Sequence, residues 1–165
     1  MLTSIEHCPC GSGRQYVECC GQYIDNPQHP APTAEALMRS RYTSYALNKH
    51  KYLLASWHPS TRPSSLELDN TTTNDWKKLN ILNTEQGLSE DDHGYVTFIA
   101  SYQRDKHLEY LCEKSYFEKM NHQWYYLKGE LFTPSKNGVC PCGSKKKFKR
   151  CCGKQIAPNH SNPSN

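Results

Sequence analysis

The chain has 165 residues, 36% of them hydrophobic and 22% charged, with a net charge of +4. That length suits one ordinary domain with small appendages, and 11 Tyr, 3 Trp and 4 Phe can supply an aromatic-rich core, which argues against full disorder. No apolar run approaches the roughly 18 residues that a bilayer span needs, and the start, Met1 to His7, lacks the basic and apolar stretches of a secretory signal, so the expected setting is the cytoplasm, with no membrane insertion.

Cysteines dominate the first segment, residues 1–24. Cys8, Cys10, Cys19 and Cys20 follow the pattern C-P-C-G-S-x6-C-C-G, and the pattern returns at Cys140, Cys142, Cys151 and Cys152. Residues 8–21 and 140–153 agree at 8 of 14 positions, an internal repeat at the two ends of one chain. Disulfides are disfavoured, because a bond between neighbouring cysteines is strained and a reducing compartment opposes it. Four thiolates around one ion fit better. Tetrahedral zinc with Zn–S near 2.3 Å has sulfur–sulfur edges of roughly 3.8 Å, and adjacent Cα atoms are about 3.8 Å apart, so both members of a Cys-Cys pair can reach one ion. Gly11, Gly13 and Gly143 would let the backbone bend toward the sulfurs. Ser12 and Ser144 are the expected N-caps of one or two helical turns, and Tyr16 and Phe148 the expected covers. So short a module cannot fold on apolar burial alone, so the expectation is two structural zinc ions per chain. A closed four-thiolate shell has no open position, which favours zinc over iron and structure over catalysis.

Residues 25–32, with Pro27, Pro30 and Pro32, read as a stiff linker. Thr33 is the predicted N-cap of a helix carrying Ala34, Leu37, Met38, Arg41, Tyr42 and Tyr45 near one face. A second helix is predicted from about Lys49 to Trp57, stopping before Pro59. The polar stretch from Ser60 to Asn74 reads as loop. The period then changes to two. A strand starts at Leu79; another spans Tyr95 to Tyr102, with Val96, Phe98, Ala100 and Tyr102 on one face; a third runs from His107 to Met120, with Leu108, Tyr110 and Cys112 on one side. Asn121-His122 reads as a hairpin turn before Trp124–Leu127. Helices followed by an antiparallel meander predict an α+β fold, with the helices covering one sheet face. The predicted central domain is 33–132, the second metal module 133–154, and a disordered tail 155–165.

Charge is uneven. Residues before Lys136 hold 13 Lys/Arg against 16 acids, whereas from Lys136 onward there are seven Lys/Arg and no acid. Lys145, Lys146, Lys147, Lys149 and Arg150 lie inside the second module. Such a run can offset the negative charge of a zinc–tetrathiolate site or simply be solvated. The first module lacks a comparable run, so compensation alone does not explain the asymmetry, and contact with RNA phosphate or an acidic protein is the functional alternative.

C-P-C-G-S-G-R-Q-Y-V-E-C-C-G and C-P-C-G-S-K-K-K-F-K-R-C-C-G resemble the SEC-C motif, the zinc-binding tail of the bacterial translocation ATPase SecA. That resemblance implies the export chaperone SecB or the ribosome as partners. Where SecA commonly has a final His ligand, both copies here have Cys. The helix-then-meander order, with Thr33-Ala-Glu-Ala-Leu-Met-Arg-Ser-Arg-Tyr, Ser115-Tyr-Phe and Gln123-Trp-Tyr-Tyr, resembles a nuclear transport factor 2-like cone. Taken together, the chain resembles the bacterial YchJ family.

Three function classes follow: a metal-binding interaction protein related to export or translation, a small-molecule enzyme with its pocket in the cone, and an RNA-binding protein acting through residues 145–150. Enzyme candidates are His58, Asp69, Asp75, Tyr45, Tyr102, Glu109 and Glu113, none in a motif that specifies chemistry. Glu109 and Glu113 share a strand face, expected to be the solvated one. Cys112 reads as a small buried apolar residue rather than a nucleophile.

Overall fold

The computed structural model describes residues 7–66, 74–140 and 144–154. Asp69, Thr71–Thr73, Cys142, Gly143 and the tail 155–165 lie outside that range. The elements are helices α1 (Gly21–Ile24), α2 (Ala34–Ala46) and α3 (His50–Ala55), then strands β1 (Asp75–Gln86), β2 (His93–Arg104), β3 (His107–Met120) and β4 (Gln123–Leu131). The strands form one antiparallel sheet in the order β1-β2-β3-β4. This is the expected α+β meander.

Local chemistry accounts for the ends of these elements. Thr33 Oγ1 accepts from Ala36 N at 3.1 Å and caps α2. The β3–β4 turn places Asn121 and His122 at φ 50° and 62°, and Asp105 and Lys106 do the same between β2 and β3 at 47° and 69°. Both are two-residue turns whose twist matches the strands. Register shifts at Trp76/Lys78, Ile81/Asn83 and Tyr116/Phe117 curve the sheet. Gly87 has φ 81°, and its carbonyl accepts from Ala34 N at 2.9 Å, so the first hairpin abuts the start of α2.

Val96, Phe98 and Ala100 on β2, Leu79 on β1, Phe117 on β3 and Trp124 on β4 are buried with Leu37, Met38 and Tyr42 of α2. Trp124 Nε1 donates to the Pro32 carbonyl at 3.2 Å, tying the last strand to the residue just before the α2 cap. A second side of α2, with Ser40, Thr43 and Ser44, is also buried. These small side chains admit close neighbours, and Ser40 Oγ lies 2.8 Å from the hydroxyl of Tyr52 on α3.

Two local expectations change. The second helix ends at Ala55, and Trp57 is not helical. Tyr126 N donates to Ser56 O and His58 N donates to Tyr126 O, so this segment pairs in parallel with β4. Glu113 is half-buried and lies not on the outer sheet face but opposite Phe98, where it lines a cavity beneath the helices.

Candidate metal centre

The first cluster forms because its backbone turns back on itself. Cys8 N donates to Arg14 O at 2.9 Å and Gly11 N to Cys8 O at 3.1 Å, with Gly11 and Gly13 at φ 76° and 77°. A single 3-10 turn, Tyr16–Glu18, then delivers Cys19 and Cys20 to the same side. The sulfurs of Cys8, Cys10, Cys19 and Cys20 all lie within 4.8 Å of one another, and all four residues are buried and unbridged. Cys10–Cys19 is 3.6 Å and Cys19–Cys20 is 4.0 Å, bracketing the edge expected of a tetrahedral zinc–thiolate shell of about 3.8 Å. The donor set and spacing therefore fit one ion of the zinc type.

The second cluster repeats this geometry at an offset of 132 residues. Cys140 N donates to Lys146 O, Cys151 N donates to Phe148 O at 3.0 Å as Cys19 N does to Tyr16 O, and Cys151–Cys152 is 4.0 Å. Lys145 takes the positive φ of Gly13, at 60°. The glycine of C-C-G is required in both copies: a Cβ at Gly21 would meet Tyr16 O at 2.7 Å, and one at Gly153 would meet Phe148 O at 2.7 Å. Cys140, Cys151 and Cys152 converge, with Cys140 buried and the other two half-buried. The fourth cysteine of this pattern, Cys142, is outside the described residues. The two clusters could each hold a metal ion.

Ser12 and Ser144 are not helix caps. Gln15 and Lys147 occupy those positions with no side-chain cap, and the serine hydroxyls instead contact Cys19 Sγ at 3.2 Å and Cys151 Sγ at 3.1 Å. Each hydroxyl also accepts a backbone N–H two residues on, from Arg14 at 3.2 Å and from Lys146 at 3.4 Å, so it braces the bent loop against the sulfur rather than opening a helix. Tyr16 and Phe148 are buried as expected, at matching places.

The clusters differ in their surroundings. The first belongs to the main core. Cys8 Sγ lies 3.7 Å from Thr43 Oγ1 on α2, Arg39 Nη1 donates to Cys10 O at 3.2 Å, and Arg14 Nη2 donates to Cys19 Sγ at 3.5 Å. Sequence reading missed Thr43 and Arg39, although Thr43 sits one turn from Arg39 on one side of the predicted helix. Cys10 is held well below the ordinary thiol range by the S–H groups of Cys20 and Cys8 directed at it. Cys20 is pushed far up by the same pairing with Cys10 and Cys8 and by burial. A metal ion held by these thiolates would displace the protons that the thiols carry.

Around the second cluster, Gly138, Cys140, Phe148 and Lys149 direct their backbone N–H groups to Ser135, Lys146, Gly138 and Lys136 respectively, all within the module. Lys145, Lys146, Lys147, Lys149 and Arg150 are exposed, and no ion pair engages them among the described residues.

The enzyme candidates scatter. Asp75 is exposed and paired with Lys77. His58 Nδ1 meets Ser60 Oγ at 2.6 Å, and Glu109 accepts from Tyr102 OH at 2.7 Å. Asp69 is outside the described residues. Tyr45 and Glu113 do share one cavity.

The family model described as "YchJ, middle NTF2-like domain" matches residues 33–129, more than half of the chain, and the SEC-C motif matches residues 139–154. A UPF0225 protein of Photorhabdus laumondii is 39% identical over 90% of this chain and 99% of its own. The chain belongs to the YchJ family, UPF0225. A second relative, a UPF0225 protein of Sodalis glossinidius, is 38% identical over 88% of this chain and 96% of its own. Two solved SEC-C motif-containing proteins are similar to it. The one from Psychrobacter arcticus is 31% identical with a TM-score of 0.65, covering 94% of this chain and 100% of that one. The one from Rhodopseudomonas palustris has the same identity and score, covering 77% and 99%. The YchJ assignment thus joins an NTF2-like middle to a C-terminal SEC-C motif. No helix among the described residues is long and apolar enough to cross a membrane.

Proposed function

We propose that this YchJ-family chain is a cytoplasmic, metal-binding interaction protein with two zinc modules, residues 1–24 and 133–154, around the central domain 33–132, joined by the linker 25–32. Cys8, Cys10, Cys19 and Cys20 hold one ion, and Cys140, Cys142, Cys151 and Cys152 hold the other. The observation that carries this reading is the convergence of four buried sulfurs within 4.8 Å in the first cluster, supported by the matching turn in the second. In this reading the N-terminal segment is a second SEC-C motif. It is built into the core and acts as an internal brace. The C-terminal copy is the one free to dock, with Lys145, Lys146, Lys147, Lys149 and Arg150 facing an acidic partner. The SEC-C likeness points to SecB or the ribosome.

Elemental analysis of the purified chain should find two zinc ions, falling to one in Cys19→Ser and in Cys151→Ser. Iron, or no metal in a folded chain, would reject the zinc reading. Reversing the charge of the five basic residues should abolish recovery of SecB or ribosomes, and unchanged recovery would reject the docking role. Capture of free RNA with a steep salt dependence would instead favour the nucleic-acid alternative.

A further inference from the structure

Between the helices and the inner sheet face lies a cavity of about 230 Å³. Its wall is largely aromatic, with Tyr42, Tyr45, Trp57, Trp76 and Tyr126, yet it contains two charged side chains, Arg41 and Glu113. Arg41 is only 3% exposed. Among the described residues both of its hydrogen bonds leave from Nη1, to Leu53 O at 2.9 Å and Ser56 Oγ at 2.7 Å. Its guanidinium carbon lies 4.5 Å from the Tyr126 ring centre and 5.0 Å from that of Trp57. Among the described residues no carboxylate pairs with it. A guanidinium offers five N–H donors in a fork that matches a carboxylate. Bracing α2 against the end of α3 needs Nη1 alone, and leaves the Nε–Nη2 edge unused.

Glu113 lines the same cavity. Its Oε1 accepts from Ser115 Oγ at 2.6 Å and from Tyr126 OH at 3.2 Å. The side chain lies over Gly129, where any Cβ would collide with the carboxylate. Trp57 adds a buried indole N–H with no partner among the described residues. A buried cation with an open edge, an acceptor and aromatic walls form a site with two unlike ends. Such a site disfavours a plain hydrocarbon, which would leave the open donors unanswered. It also disfavours a ligand that is only an anion, which Glu113 would repel.

We propose that this cavity binds a small, flat organic acid, with its carboxylate on the open edge of Arg41 and a hydroxyl or amino donor directed to Glu113. A single substituted aromatic ring suits the volume and the aromatic walls. The site shares no residue with the cysteine clusters, so it stands or falls separately from the metal reading.

The test is a titration of the full-length, zinc-loaded chain with para-hydroxybenzoate, benzoate and para-hydroxybenzamide. Binding is followed by the indole N–H signals of Trp57 and Trp76 and the Nε–H signal of Arg41 in two-dimensional NMR. Para-hydroxybenzoate should shift these signals saturably, benzoate should bind more weakly, and the amide should bind about tenfold more weakly or worse, because it lacks the charge that pairs with Arg41. Glu113→Gln should narrow the gap between para-hydroxybenzoate and benzoate, and Arg41→Lys should weaken both acids by about tenfold. If Arg41→Lys does not fold, the ligand series on the native chain and on Glu113→Gln decides alone. Equal binding of acid and amide, shifts confined to surface residues, or no saturable shift with any of the three would overturn the proposal.

Discussion

Cys112 illustrates how burial sets reactivity at a single residue. It is 7% exposed on β3, and burial pushes its thiol up to about 11. The nucleophile is the thiolate, so at pH 8 its reactive fraction is on the order of a hundredfold below that of an ordinary thiol. Iodoacetamide should therefore label Cys112 slowly in the native chain, with a rate that climbs as pH rises toward 11. Peptide mass spectrometry reads this, and labelling at pH 8 as fast as in the denatured chain would disprove it. The sequence already marked Cys112 as a buried small residue, because it alternates with Tyr110 and Leu108. For Glu113 the charge suggested solvent, yet periodicity places it opposite Cys112, on the face of Phe98 in β2, and the missing side chain of Gly129, on another strand, leaves room there for the carboxylate. For Arg41 the clue was present: a charge within the stripe of Leu37, Met38 and Tyr42.

Among the elements, the first hairpin packs its own two strands closely where it meets α2. A Cβ at Gly94 would lie 2.5 Å from Gly87 Cα and 2.6 Å from Gly87 N. Backbone cannot yield as a flexible side chain can, so Gly94→Ala should destabilise the fold by about 1–3 kcal/mol. Denaturant unfolding measures this, and an unchanged midpoint would contradict the packing described. Elements defined by local chemistry were legible in the sequence: the Thr33 cap, the alternation of Val96, Phe98 and Ala100, the Asn121-His122 turn, and the cysteine spacing that gathers the first cluster. Features that depend on distant partners were not. Trp57 continues a helical pattern, yet the unpaired edge of β4 captures its neighbours' backbone groups. The sheet bulges leave no composition signal. Ser12 has the residue type and position of a cap, and its contact with Cys19 appears only once the loop has closed.

For the whole molecule, the two clusters should not be equivalent. Metal binding in small modules is worth about 10–16 kcal/mol, and among the described residues the first cluster packs into the main core whereas the second does not. Cys20→Ser should therefore lower the thermal midpoint of the entire chain, whereas Cys151→Ser should leave the main transition in place while loosening residues 133–154. Calorimetry together with limited proteolysis separates these outcomes, and equal loss of the midpoint in both variants would refute the difference.

The strand order has a further consequence for how the chain is made. Each strand pairs with its immediate successor, so a nascent chain can assemble the sheet in the order of synthesis, without leaving an edge waiting for a remote segment. Such short-range wiring favours rapid folding with few traps. In the folded chain the indole of Trp124 reaches back to Pro32 and latches the last strand to the entrance of the long helix.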